Sequence, residues 1–226
     1  GTVDNPYRLQ GDNDNPTGAL LSTRYSGEYI SFGTGENNLY RIVSHENGIG
    51  TKITSAIPLK DGGSYKRIKF GDNVTFSKDN TIGTFLNGDY LTNGTYLTSD
   101  QVNMIEDNTT WYLGTVGRGT NYKLAKYSNL ETHELVTNIA NAKVGMLRIG
   151  ELLNGSFENY KYFSSNWTLT PTEDDTLRRI GYNGDAFPVK PNDAGNTVKP
   201  TFNLKSNVVI TGGDGTKNNP FTVKLG

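Results

Sequence analysis

Alternating apolar and polar residues predict β-strands along most of the chain. In residues 38–43, Leu39 and Val43 fall on the opposite side from Tyr40 and Ile42, which is the two-residue period of a strand with two distinct faces. Similar patterns predict strands at 28–32, 50–56, 110–116, 122–127, 144–148, 162–171, 176–182, 186–189, 198–204 and 208–211, while 132–140 fits either a strand or a helix. The chain is therefore predicted to be rich in β-structure.

Three segments break this alternation and predict short helices. Residues 81–91 carry apolar side chains at helical spacing, and residues 151–154 predict another short helix. Thr98 and Gln101 have the spacing of a capping box, so a helix is predicted to begin there and to end near residues 107–108. The predicted fold class is α+β and β-rich, with mixed or antiparallel sheets and two or three short helices.

The same phrase stands near both ends of the chain. It reads Gly-Thr, any residue, Asp or Asn, Asn-Pro, an aromatic, any residue and an aliphatic, over residues 1–9 and 215–223. Gly, Asn and Pro favour a bend, and the alternating residues after Pro start an extended segment. Each copy is predicted to be a turn that launches a strand, with residues 2–9 and 216–225 extended. Two interpretations stay open: one unit of a head-to-tail array, or two edge strands of one sheet.

The chain is long enough for one large domain or two small ones. It has 226 residues, of which 34% are hydrophobic, and no shift in composition divides them cleanly. Residues 11–18 offer almost nothing apolar to bury. We therefore predict an N-terminal strand and linker over residues 1–25, followed by a single β-rich surface domain over residues 26–226 that closes with a terminal strand.

Charge and cysteine content narrow the function classes. The formal net charge is -1 and no basic run exceeds two residues, so nucleic acid is not a predicted partner. No apolar stretch approaches the roughly 18 to 20 residues that span a bilayer, so no membrane insertion is predicted within this fragment. The absence of cysteine excludes disulfides and thiolate chemistry. An exported protein without disulfides is the predicted setting.

Five segments follow one another in a distinctive order: NLYRIV at 38–43, VGMLRIGE at 144–151, NWTLTP at 166–171, VKPTFNLK at 198–205 and ITGGDGTKNNPF at 210–221. Together they resemble an uncharacterised extracellular domain family of Gram-positive bacterial surface and pilin-like proteins. The resemblance covers about residues 26–225 and implies a C-type-lectin-like fold, with the tryptophan strand and the strand after Lys199-Pro200 in the central sheet. Lys199 stands where the family has Arg and Tyr40 where it has Trp, so any feature of the family that depends on that Arg is in doubt here.

Candidate catalytic and metal-binding groups are sparse. His45 and His133 both lack the second His of a zinc helix. Asp12 and Asp14 place oxygens at alternate positions, as calcium loops do, but the Gly and the terminal Glu of such loops are missing. Calcium is thus the one cofactor that the pattern admits, and an Asx-rich linker is the alternative. The acidic residues 173–175 would need a groove to act as a glycosidase pair, and a solvated turn is the alternative.

Aromatic residues are the candidates for ligand binding. Trp111, Tyr112, Tyr122 and Tyr182 have faces that could stack on a sugar or on a protein partner, although such residues also fill cores. For Trp167 the core is favoured, because it alternates with threonines.

The residue patterns and the resemblance together imply a non-enzymatic extracellular structural or adhesive domain of a bacterial surface or pilus-like protein. Its predicted partners are host or cell-surface proteins or glycans, and further copies in a tandem or polymeric array. A carbohydrate-binding lectin-like module is the alternative. An amide cross-link between Lys and Asn, promoted by a buried acid, is a further hypothesis, but the sequence cannot pair the residues because such a bond depends on spatial adjacency.

Overall fold

The computed structural model describes residues 16–46, 49–115, 138–154, 164–181 and 185–226. Their strands are β1 Tyr29–Ser31, β2 Leu39–Glu46, β3 Gly50–Ser55, β4 Lys60–Asp61, β5 Ser64–Tyr65, β6 Thr109–Leu113, β7 Asn138–Ala142, β8 Asn166–Pro171, β9 Leu177–Ile180, β10 Ala186–Val189, β11 Thr201–Lys205, β12 Val208–Gly212 and β13 Thr222–Leu225. The α-helices are α1 Thr81–Asn87, α2 Asp89–Thr92, α3 Ser99–Met104 and α4 Ile149–Asn154. The architecture is α+β and β-rich, as predicted.

The central sheet has four antiparallel strands in the order β1-β2-β3-β11. The first three are consecutive in the chain and form a meander, and the fourth comes from the last quarter of the chain. A second antiparallel sheet has the order β10-β9-β8, and the pairs β4–β5, β6–β7 and β12–β13 form two-stranded antiparallel sheets. β8, which carries Trp167, and β11 therefore lie in different sheets, so the expectation that both belong to the central sheet is wrong. Asn166 of β8 instead forms a bridge with Thr197, which precedes β11.

The two faces of the central sheet differ in chemistry. One face carries Tyr40, Ile42, Ile53 and Phe202, all fully buried. Phe202 is at the centre of an aromatic cluster, with its ring centroid 5.4 Å from that of Phe32 and 5.5 Å from that of Tyr40. This face packs into the main hydrophobic core, whereas the opposite face carries polar residues.

Helix α2 packs against the aromatic face of the central sheet, with the Tyr90 ring centroid 6.5 Å from that of Phe202. The Tyr90 hydroxyl of α2 lies 2.5 Å from the Tyr40 hydroxyl, and burial raises the pKa of both phenols well above the usual range. The predicted capping box is confirmed: Thr98 Oγ1 accepts a hydrogen bond from Gln101 N, and Thr98 N donates to the Gln101 side chain. Among the described residues, none of the helices is long and apolar enough to cross a membrane.

Two of the local predictions are wrong in detail. The helix predicted over 81–91 is interrupted at Gly88, where α1 ends and α2 begins, so the described residues contain four helices instead of two or three. Residues 144–148 do not form a strand; only Gly145 is paired, in a bridge with Thr201. This segment instead leads directly into α4. The strand predicted at 122–127 lies outside the described residues.

The C-terminal phrase is a turn followed by a strand. Gly213 and Gly215 have positive φ angles of 83° and 78°, a conformation that glycine adopts without strain. Phe221 is fully buried and pairs with β1, since its N donates to Tyr29 O and its O accepts from Ser31 N. The extended segment begins only there, so residues 216–220 form the turn instead of the predicted extension. The N-terminal copy lies outside the described residues.

Candidate functional site

The polar side of the central sheet is the candidate functional site. We call it the polar face and define it as Arg41, Lys52, Thr54, Lys199, Thr201 and Asn203. These residues alternate along β2, β3 and β11 with the apolar residues of the aromatic core. Because side chains alternate between the two faces of a strand, the cationic and amide side chains of these strands lie on the same side of the sheet, in a partly buried layer.

The pairing register places polar-face residues opposite one another. Lys52 faces Asn203 and Thr54 faces Thr201 across the β3–β11 ladder. Residues that face each other in an antiparallel pair have Cβ atoms about 4.5 to 5.5 Å apart. The Thr201 hydroxyl donates to the Thr54 hydroxyl at 2.9 Å, so facing side chains on this part of the sheet are in contact.

Lys52 is held between an acid and an aromatic ring. Its Nζ lies 3.0 Å from Glu151 Oε1 and 5.7 Å from the centre of the Trp111 ring. The residue is only 9% exposed. The other carboxylate oxygen of Glu151 accepts a hydrogen bond from Arg148 N at 2.9 Å, at the start of α4. Helix α4 thus fixes the carboxylate over the polar face.

Asn203 is buried and only partly satisfied. Its exposed fraction is 0%, and its Nδ2 donates to Thr109 Oγ1 at 3.3 Å. Within the described parts of the chain, its Oδ1 is a buried oxygen with no hydrogen-bond partner. Because buried polar atoms are nearly always paired, an unpaired carbonyl oxygen in this layer needs an explanation.

Trp111 covers the polar face from β6. The alternation of that strand turns Thr109, Trp111 and Leu113 inward, so Trp111 is only 4% exposed. Its indole Nε1 donates to Ala142 O at 3.0 Å, and a Cβ at Gly145 would lie 2.7 Å from the ring. The ligand-stacking role predicted for Trp111 requires an exposed ring face. In the structure the ring is instead buried against the polar face.

Tyr112 has the opposite orientation. It is 51% exposed on the outer side of β6. Thr110, two positions earlier on the same side, donates its hydroxyl to the Asn141 side chain at 3.0 Å. Its predicted role in ligand binding stays a prediction. The other predicted site residues, Tyr122, Tyr182, Asp12 and Asp14, lie outside the described residues, and so does the predicted calcium site at Asp12 and Asp14.

A small pocket lies at the end of the polar face near Lys199. It is lined by Thr54, Leu147, Leu152, Asn166, Trp167, Ile180 and Lys199, with a free volume of about 10 Å³. That volume holds about one water molecule. Burial lowers the pKa of Lys199 to about 7, and the Arg41 guanidinium adds to this effect. The pocket therefore contains an amine that is largely neutral at mildly alkaline pH.

The predicted acidic cluster is a turn. Residues 173–175 join β8 to β9, and both Glu173 and Asp175 are exposed. The Asp174 carboxylate accepts from the Thr172 and Thr176 hydroxyls at 2.5 and 3.0 Å, so it closes the turn. Over the described ranges, no group of three or more His, Cys, Asp and Glu residues could hold a metal ion.

The cluster of Lys52, Glu151 and Asn203 was not predicted as a site from the sequence. Its members lie on β3, α4 and β11, and no local motif links them. Strand alternation places Lys52 and Asn203 on the side opposite the apolar residues Ile53, Phe202 and Leu204, where polar residues are usual, so the sequence carries no local signal for this cluster. Comparisons of the chain with protein-family models, curated proteins and solved structures found no match. The resemblance described above therefore stays a prediction.

Proposed function

We propose that the chain is a non-enzymatic extracellular structural or adhesive domain of a Gram-positive bacterial surface or pilus-like protein. The observation that carries the proposal is the way the closing phrase docks. Phe221 fills a fully buried position beside β1, and β13 continues from it as an extended, mostly exposed strand. The aromatic residue of the C-terminal phrase thus has a specific buried binding position in the domain. The same phrase occurs a second time at residues 1–9, which supports units joined head to tail.

In this proposal the N-terminal copy is the closing strand of a preceding unit. Tyr7 would then occupy in that unit the seat that Phe221 occupies here. The partners that follow are further copies of the unit in a tandem or polymeric array, and proteins or glycans of a host or cell surface.

The finer part of the fold proposal is a C-type-lectin-like arrangement. It is supported by the close association of the tryptophan strand with the segment before β11. Trp167 N donates to Thr197 O at 3.0 Å, and Thr197 N donates to Ser165 O at 2.7 Å. Trp167 itself is 2% exposed and donates its indole N–H to Ile68 O at 2.7 Å, in agreement with a core role.

The cell-surface assignment can be tested by labelling cells of the source organism. An antibody raised against the purified chain is expected to label intact cells as strongly as permeabilised cells. An antibody against a cytoplasmic protein serves as the control for intact membranes. Labelling that appears only after permeabilisation would contradict the surface assignment.

A carbohydrate-binding lectin-like module is the second candidate, favoured by the exposed ring of Tyr112. The ring stands beside the hydrogen-bonded pair Thr110–Asn141, which combines a stacking face with polar groups, as sugar sites require. If this module binds glycans through β6, Tyr112→Ala is expected to weaken binding on a glycan array at least tenfold. The variant Phe187→Ala removes another exposed ring (48% exposed) and should bind normally. Equal binding by both variants would contradict this site.

A further inference from the structure

The polar face brings an amine, a carboxylate and a carboxamide together. Lys52 and Asn203 face each other across the β3–β11 ladder, and Glu151 lies 3.0 Å from the Lys52 amine. All three lie in the layer between the central sheet, α4 and β6. This combination contains every group needed to join a lysine to an asparagine through an amide bond.

The two side chains can reach each other. Facing Cβ atoms in an antiparallel pair are about 5 Å apart, and the next pair along the same face, Thr54 and Thr201, is already in direct hydrogen-bond contact. The four-carbon stem of Lys52 is long enough to cross that gap and to place its Nζ on Asn203 Cγ.

The surroundings of Lys52 and Asn203 favour attack of the amine on the carboxamide over attack by water. Lys52 is 9% exposed and Asn203 is 0% exposed, so little water reaches the reacting atoms. Both also face the inner side of β6, where Lys52 lies against the Trp111 ring and Asn203 bonds to Thr109. Dry surroundings of this kind strengthen the effect of one well-placed carboxylate. The unpaired Asn203 Oδ1 is the atom on which negative charge develops when an amine adds to Cγ.

We propose that Lys52 and Asn203 form an intramolecular amide bond, with Glu151 carrying the proton. Glu151 first takes a proton from the Lys52 ammonium, and the neutral Nζ adds to Asn203 Cγ. The Cγ–Nδ2 bond then breaks. The two protons that Lys52 Nζ loses are transferred to Nδ2, which leaves as an ammonium ion. Glu151 is then again a carboxylate. The lysine ammonium and the carboxamide thus give a secondary amide and one ammonium ion, with no oxidant and no water consumed.

A second lysine and asparagine pair is less suited to this chemistry. Lys199 and Asn166 line the same pocket, but no carboxylate is among the residues that line it. Asn166 Oδ1 also accepts a hydrogen bond from the Thr197 hydroxyl at 2.9 Å. The cluster around Lys52 is therefore the favoured site, and it does not depend on where the protein is located in the cell.

The bond would tie together distant parts of the chain. Residue 52 belongs to the meander that begins the domain, and residue 203 lies in the strand that completes the central sheet. A covalent link between them restricts the unfolded chain in the way that a disulfide closing a long loop does. A cysteine-free domain would gain a permanent staple between β3 and β11.

The intact mass of the purified full-length chain tests the proposal. The expected mass is about 17 Da below that calculated from the sequence, because ammonia is lost. Peptide mapping should then find one branched peptide joining the segments that contain Lys52 and Asn203. The variants Lys52→Met, Asn203→Ala and Glu151→Gln should show no loss of ammonia. Matched controls are Lys205→Met and Asn207→Ala, which should keep the lower mass.

Three results would overturn the proposal. The first is a wild-type chain with the mass calculated from its sequence, a result that requires no variant to fold. The second is a mass deficit that mild base removes, since a cyclic imide at an Asn-Gly sequence hydrolyses whereas an amide persists. The third is a branched peptide at another pair, such as Lys199 and Asn166.

Discussion

Replacing Phe221 with Ala is expected to lower the free energy of unfolding by about 3 to 5 kcal/mol, the usual cost of emptying a buried phenylalanine site. Phe221 is fully buried, its ring lies 5.2 Å from the Arg24 guanidinium carbon, and a Cβ at Gly215 would lie 2.5 Å from the ring. Urea unfolding followed by fluorescence or circular dichroism measures the loss.

Two controls make this result specific. Phe187→Ala removes a ring that is 48% exposed, and it should change stability by less than about 0.5 kcal/mol. Tyr7→Ala changes the matching residue of the N-terminal phrase. If that phrase closes a preceding unit, Tyr7→Ala should also have little effect on a single unit. A loss comparable to that of Phe221→Ala would contradict the array and would place the N-terminal phrase in the sheet of this domain.

The stability of the domain is expected to rise between pH 7 and pH 9 because of Lys199. Its folded-state pKa is lowered to about 7 by burial and by the Arg41 guanidinium, whereas an unfolded lysine has a pKa of about 10.4. Between these values the unfolded state binds more protons, so the free energy of unfolding increases with pH. Below the folded pKa both states carry the proton, and the full destabilising effect of the buried charge is present.

The variant Lys199→Met tests this dependence, since it keeps the apolar stem and removes the amine. The free energy of unfolding of the wild-type chain should increase by on the order of 1 to 2 kcal/mol from pH 7 to pH 9. This value allows for partial screening by solvent, because the Lys199 side chain is only partly buried. Lys199→Met should lose that gain, and Lys224→Met, at an exposed position of β13, should keep it. A Lys199→Met variant with the wild-type pH profile would show that the amine is not desolvated.

Together, the two proposals describe a module suited to bearing load. In them, the phrase would connect successive units, and the amide would join β3 to β11 inside each unit. The two ideas are independent in their tests: mass spectrometry decides the amide, and the Phe221 and Tyr7 variants decide the array. Surface labelling decides the location without reference to either.

The sequence by itself determined features that depend on neighbouring residues. Alternation located β2, β3 and β10 to within a few residues, and Thr98 with Gln101 marked the start of α3. The Gly, Asn and Pro residues before Phe221 marked a turn followed by a strand. These features form because backbone preferences and capping bonds act over a few positions, where the sequence records them directly.

Only the tertiary structure decided which residues meet. Trp111 and Tyr112 are adjacent in sequence, and the packing of β6 over the central sheet buries the first and exposes the second. Likewise, the register of β11 against β3 sets Asn203 opposite Lys52, and a shift by one residue would have moved both residues to different partners. Register and facing depend on how distant surfaces fit together, and no local pattern in this chain contains that information.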